Sequence, residues 1–179
     1  LTAFIQAAGT GIGMGGAVMF AIHNGSGDYS RSRKFFGISL LLLALSGFLF
    51  TLFFLGSGER ILRMFGAEGD ILRLGAEYFR YIAFGTLFQV MATGIVPFIR
   101  NMGSPVTAMF AMTGGFLTNI LLDYILVWVL PYGMTGAAVA TVIGQAVTLA
   151  VCLIFLIRKR ELPSLSFDKE TLLMAGKVL

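Results

Sequence analysis

Two polar side chains stand four residues apart inside a long apolar run: Asn119 and Asp123, within residues 105–130. In a helix this spacing stacks them on one face, about one turn apart. An ionised carboxylate at bilayer depth costs roughly 2.5–3.5 kcal/mol on insertion scales, so it needs an ion, a proton or a buried partner. Hard cations such as Na⁺ take oxygen ligands, and an amide oxygen beside a carboxylate supplies them. Removal from water also favours the neutral form of a carboxyl group, so a proton can load the same place. The plainer alternative is an Asn–Asp hydrogen bond that only fixes helix packing. Asp123 is the sole acidic residue deep inside an apolar stretch of this chain, and intramembrane acids usually mark ion or proton pathways. Asn119 and Asp123 are therefore the candidate cation site.

Other polar pairs repeat the spacing. Thr141 and Gln145 share a face of the run 136–157, where the Thr141 hydroxyl could reach a cation held by Asp123 or bond its own helix carbonyl. Gln89 and Thr93 share a face within 78–101 and are candidate cavity-lining residues, as is Gln145; interhelical hydrogen bonding is their alternative role. Met109 and Met112 could form a pliable apolar wall. His23, the lone histidine, sits at a span edge without other ligand types and reads as interfacial. Cys152 has no partner in the chain and reads as a packing residue. Gly11, Gly13 and Gly16 satisfy GxGxxG, but no strand–turn–helix pattern surrounds them, so a dinucleotide site is excluded. No nucleophile–base set, CxxC, HExxH or P-loop occurs. The chain reads as a non-enzyme without a resident cofactor, its only small ion being a coupling Na⁺ or H⁺.

The elements that must position these residues are membrane helices. The chain has 179 residues, 57% hydrophobic and 12% charged, against about 25% charged in a soluble domain. Such a chain cannot cover a water-soluble globule, and the expected fold class is all-α, a polytopic membrane helix bundle. Five spans are expected, at about 2–22, 35–55, 78–101, 105–130 and 136–157. In the first, Gly9/Gly13 and Gly11/Gly15 have the spacing that lets membrane helices approach closely. Residues 56–77 mix acids and arginines with Ile61, Leu62, Phe65 and Leu72 and predict one or two short interfacial helices. Pro97 should kink the third span, while Gly103, Ser104 and Pro105 suit a helix stop, an N-cap and a first helical position. The net charge of +4 comes from basic residues at span ends, which makes it a topology signal and not a nucleic-acid footprint. Basic segments 23–34 and 158–169 belong on the cytoplasmic side, while the connections after the second and fourth spans carry balanced or no charge. Residues 162–179 read as a linker and the start of a further helix, so that 1–161 form part of a lobe within a longer protein.

The order of local patterns resembles the multidrug and toxic compound extrusion (MATE) family. They are the glycine-rich first span with Asn24-Gly25-Ser26-Gly27-Asp28, Ala76-Glu77-Tyr78, Ile99-Arg100-Asn101-Met102-Gly103, the run Asn119-Ile120-Leu121-Leu122-Asp123-Tyr124, and Gly136-Ala137-Ala138-Val139-Ala140-Thr141. The resemblance implies helices two to six of a twelve-helix transporter built from two six-helix lobes. It implies a cation site shared by Asn119, Asp123 and Thr141 with an aspartate on a first helix that this sequence lacks. It further implies Na⁺- or H⁺-coupled efflux of small cationic amphipathic compounds from a bacterial cell, with the protein in the plasma membrane. The partners would be the lipid bilayer, the cationic cargo, and the missing first helix and C-terminal lobe.

Two other readings remain open at this level. A lipid-linked precursor flippase of the same superfamily should line its cavity with several basic residues, whereas Arg80 and Arg100 lie near span ends. A non-transporting membrane scaffold would tolerate Asp123→Asn.

Overall fold

The computed structural model describes residues 2–159 together with 175, 176 and 178. Five long helices follow one another up and down: α1 (Thr2–Gly25), α2 (Tyr29–Met64), α3 (Gly69–Asn101), α4 (Pro105–Asp123) and α5 (Gly133–Lys159). Between α4 and α5 the helix continues in π form over Tyr124–Val129. Each of the five spans is long and apolar enough to cross a membrane. The chain forms the all-α membrane bundle expected from its composition.

The connections are short, which forces neighbouring helices to run antiparallel. Asp28 caps α2 by accepting a hydrogen bond from the Arg31 backbone N–H at 3.1 Å. Gly103, at φ +78°, ends α3 in the left-handed region open to glycine, and its N–H donates to the Arg100 carbonyl at 3.1 Å. Ser104 then occupies the N-cap position of α4 and Pro105 begins the helix, although the serine hydroxyl makes no capping bond. α3 continues through Pro97 to Asn101.

The structure departs from expectation over residues 56–77. No separate interfacial helices form; α2 runs on to Met64 and α3 starts at Gly69. Extending an existing helix adds one bond per residue, whereas a new helix must nucleate again. Pairs on single helix faces decorate the extension: Glu59–Arg63 at 2.8 Å and Asp70–Arg73 at 3.5 Å. At 36 residues α2 measures about 54 Å, well beyond the ~30 Å hydrocarbon core. The fifth span likewise starts at Gly133, three residues ahead of the expected position. The expected linker over 162–179 lies outside the described residues, apart from 175, 176 and 178.

α3 is the hub. Ile82, Ala83, Val90, Ile95, Phe98 and Ile99 are all buried along it. One core cluster joins Phe98 and Ile99 to Phe20 of α1, Phe36 of α2, Ala108 of α4 and Cys152 of α5. In a bilayer the lipid tails are as apolar as leucine, so close packing and interhelical hydrogen bonds must hold such a cluster together. The first glycine pair does this. A Cβ on Gly13 would lie 2.6 Å from Gly94 Cα, and one on Gly9 would lie 3.1 Å from the Val90 carbonyl oxygen. Gly11 faces open space, so only one of the two expected glycine pairs packs on α3. Across the bundle, Asn101 Nδ2 donates to the Ala17 carbonyl at 2.8 Å, and Thr51 Oγ1 to that of Ala83 at 3.0 Å.

Candidate functional site

α4 meets α5 along a seam of small residues. A Cβ on Gly144 would lie 2.8 Å from the Gly115 carbonyl oxygen and 3.0 Å from Asn119 Cβ, so only glycine allows the helices this close. The approach brings two of the candidate site residues together: Asn119 Nδ2 donates to Thr141 Oγ1 at 3.4 Å, a long bond. Thr141 in turn donates its proton to the Ala137 carbonyl at 3.0 Å, as threonines in helices commonly do. That bond orients the hydroxyl so that its lone pairs face Asn119. The Asn119 amide is thus engaged with Thr141 and not with Asp123.

Asp123 lies one turn further along, where α4 passes into the π-helical stretch. Its Oδ1 is buried without a hydrogen-bond partner. A buried acceptor without a partner is rare enough to need a reason, and an unpaired carboxylate oxygen is suited to a cation or a proton. The π stretch shifts the backbone bonds beyond Asp123: the Leu130 N–H reaches the Ile125 carbonyl and the Tyr132 N–H that of Leu126, both at 2.9 Å. Tyr124 is largely exposed and lies outside this group. The available donors are hard oxygens from one acid, one amide and one hydroxyl. Among the described residues no cluster of three His, Cys, Asp or Glu side chains could hold a transition metal.

Asn119 and Thr141 line a half-open cavity of about 660 Å³ between α1, α3, α4 and α5. Thr93 and Gln145 line it as well, whereas Gln89 and Asp123 are outside the lining. Two further polar residues, Gln6 and Thr10 on α1, face the same space and were missed in the sequence. They have the i, i+4 spacing that singled out the other pairs, so the signal was present. Arg100 and Asn101 also line the cavity, at the end marked by the C-terminus of α3.

Five bilayer-length helices, four of them enclosing a half-open cavity with polar groups in its walls, and an acid with a buried, unpartnered oxygen one turn beyond that lining, define an integral membrane protein of the kind from which transporter lobes are built. Residues 1–125 match the family model described as MatE, and the chain belongs to that family. It is 26% identical to the multidrug export protein MepA of Staphylococcus saprophyticus, covering 93% of this chain and 37% of the relative. With the Staphylococcus haemolyticus MepA the identity is 28%, over 93% of this chain and 36% of the relative. The chain thus spans little more than a third of the curated relatives it matches.

Among solved structures, the fold is similar to an inward-facing multidrug resistance MATE family transporter of the MOP superfamily. The TM-score is 0.87 at 28% identity, over 99% of this chain and 42% of that one. An outward-facing structure of such a transporter gives 0.86 at 28%, over 97% and 40%. A MOP superfamily transporter from Pyrococcus furiosus, described as having a binding pocket of reversed polarity that suggests a different function, gives 0.87 at 29%, over 98% and 41%. These relatives are exporters and transporters, in keeping with the expectation that the chain is not an enzyme.

Proposed function

We propose that the chain is part of the N-terminal lobe of an ion-coupled exporter of amphipathic organic compounds in the bacterial plasma membrane. In this reading Asp123, Asn119 and Thr141 supply oxygens to the coupling ion. The observation that carries it is the buried, unpartnered Oδ1 of Asp123, one helical turn beyond the Asn119–Thr141 contact that lines the cavity. Membership of the MatE family and similarity to multidrug export proteins support the export reading, and cationic cargo is proposed with it.

Entry of Na⁺ or H⁺ neutralises the carboxylate and removes the cost of holding a charge at depth. The helices that shielded it can then repack, and cargo leaves as the ion enters. Helix α4 is the element that must respond, since it carries Asn119 and Asp123 and is the least covered of the five. The flippase reading asks for several basic side chains in the cavity, and Arg100 is the one found in the described lining.

The test uses the full-length transporter in proteoliposomes, following efflux of a cationic dye under an imposed Na⁺ or H⁺ gradient. Wild type should export, and Asp123→Asn should lose gradient-driven export while still inserting. Undiminished efflux with normal ion dependence in the variant would reduce Asp123 to a packing residue. Absence of efflux in wild type would shift the weight to flippase or scaffold.

A further inference from the structure

The cavity extends along α4. Met112 and Asn119 both line it seven residues apart, about 10 Å along the helix axis. At the Asn119 end the wall offers an amide and a hydroxyl. At the Met112 end, Arg100 Nη2 donates to Met112 Sδ at 3.4 Å. A thioether is a weak acceptor, and a guanidinium carries five donors. No carboxylate among the described residues pairs with Arg100, whose side chain is otherwise exposed at the cavity edge. It is also the only charged side chain in the described lining.

The position of Arg100 is fixed from below. Its neighbour Asn101 donates to the Ala17 carbonyl at 2.8 Å and ties the end of α3 to α1. Between Arg100 and Asn119 the wall carries Val96, Pro97 and Phe116, together with Thr148, whose hydroxyl is committed to the Gly144 carbonyl at 3.1 Å. The surfaces therefore run from cationic, through a mainly apolar stretch, to polar and neutral. A cargo that is only cationic gains nothing from the first of these.

We propose that Arg100 is a specificity-determining residue that holds an anionic oxygen group of the cargo, a carboxylate, phosphate or sulfonate, at this end of the cavity. The apolar body of the cargo then lies over Phe116 and its far end reaches Asn119 and Thr141. The planar fork of the guanidinium matches such groups in bidentate fashion. The inference rests on the export reading above and narrows its cationic cargo to zwitterionic amphiphiles, which carry an anionic oxygen group beside the cationic one.

The test is equilibrium binding of dansyl-aminooctanoic acid and of its carboxamide to the purified full-length transporter in detergent. The two probes differ in one charge. Wild type should favour the carboxylate by roughly fivefold, the discount from a buried pair reflecting solvent at the rim. R100Q should bring the ratio to about one, and R100K should restore part of it, because lysine keeps the charge without the fork. A ratio unchanged in R100Q, or a wild type that favours the carboxamide, would overturn the proposal. Should R100Q bind neither probe, the R100K ratio decides: a partial preference supports the assignment and full wild-type preference or none opposes it. The measurement is repeated in nanodiscs of zwitterionic lipid with and without phosphatidylglycerol. A preference that persists supports cargo recognition, whereas one abolished by the anionic lipid assigns Arg100 to headgroups and overturns it. Gradient-driven efflux is recorded separately. Wild type that discriminates between the probes yet exports neither would sink the export reading while leaving anion recognition by Arg100 in place.

Discussion

Thr141 shows how little separates a packing contact from a ligand. Its hydroxyl proton is committed to the Ala137 carbonyl, so its only service to a cation is a lone pair. Thr141→Ser keeps that lone pair, and Thr141→Val removes it at nearly constant volume. In gradient-driven efflux, Thr141→Val should raise the half-saturating ion concentration about tenfold, the loss of roughly one hydrogen-bond-sized interaction, while Thr141→Ser stays near wild type. Equal behaviour of the two variants would remove Thr141 from the site. At this scale the sequence was partly legible. The i, i+4 rule and the family resemblance together selected Asn119, Asp123 and Thr141, and the structure brings Asn119 and Thr141 into contact. Gln89 has the same spacing to Thr93 but sits outside the cavity, because a face shared with a neighbour does not say how far along the helix the cavity reaches. Arg100 looked like a span-end residue and proved to line the cavity, since its place depends on α4 coming close enough to offer Met112.

Among the elements, α1 and α3 make the sharpest prediction. Gly13 meets the backbone of Gly94, which cannot give way, and Gly11 meets nothing. Gly13→Ala should cost about 1–3 kcal/mol through overpacking and lower the yield of folded protein. Gly11→Ala should be neutral or slightly stabilising, since alanine favours a helix more than glycine does. Size-exclusion profiles and thermal stability of the two variants in detergent check this; equal losses would argue against the close contact. All five membrane helices were legible from apolar run length. Their ends were less so: the charges of 56–77 suggested amphipathic helices in the interface, yet they ride on the extended ends of α2 and α3. The π stretch after Asp123 was not legible at all. It packs against Gly136 of α5, where a Cβ would lie 2.9 Å from the Leu126 carbonyl oxygen, and apolar run length says nothing of that contact.

For the whole molecule, the uneven covering of the helices is informative. α3 is mostly buried, while α4 exposes Phe110, Phe116 and Leu117, and the π stretch after it exposes Trp128. In a bilayer such a face is tolerated by lipid, and in the proposed exporter it is also where cargo and further helices approach. The α2–α3 hairpin has the opposite character. Its turn carries Phe65, Gly66 and Glu68, all exposed, past the end of a helix about 54 Å long. Cys152 is the only native thiol of this chain and is buried. Glu68→Cys would therefore place a single reactive thiol clear of the membrane, on a residue whose side chain makes no capping bond. A membrane-impermeant maleimide should label it in intact cells if the basic segments face the cytoplasm; labelling only after permeabilisation would invert the orientation of all five helices. The turn takes no part in the cavity, yet it reports which compartment the cavity's Arg100 end opens toward.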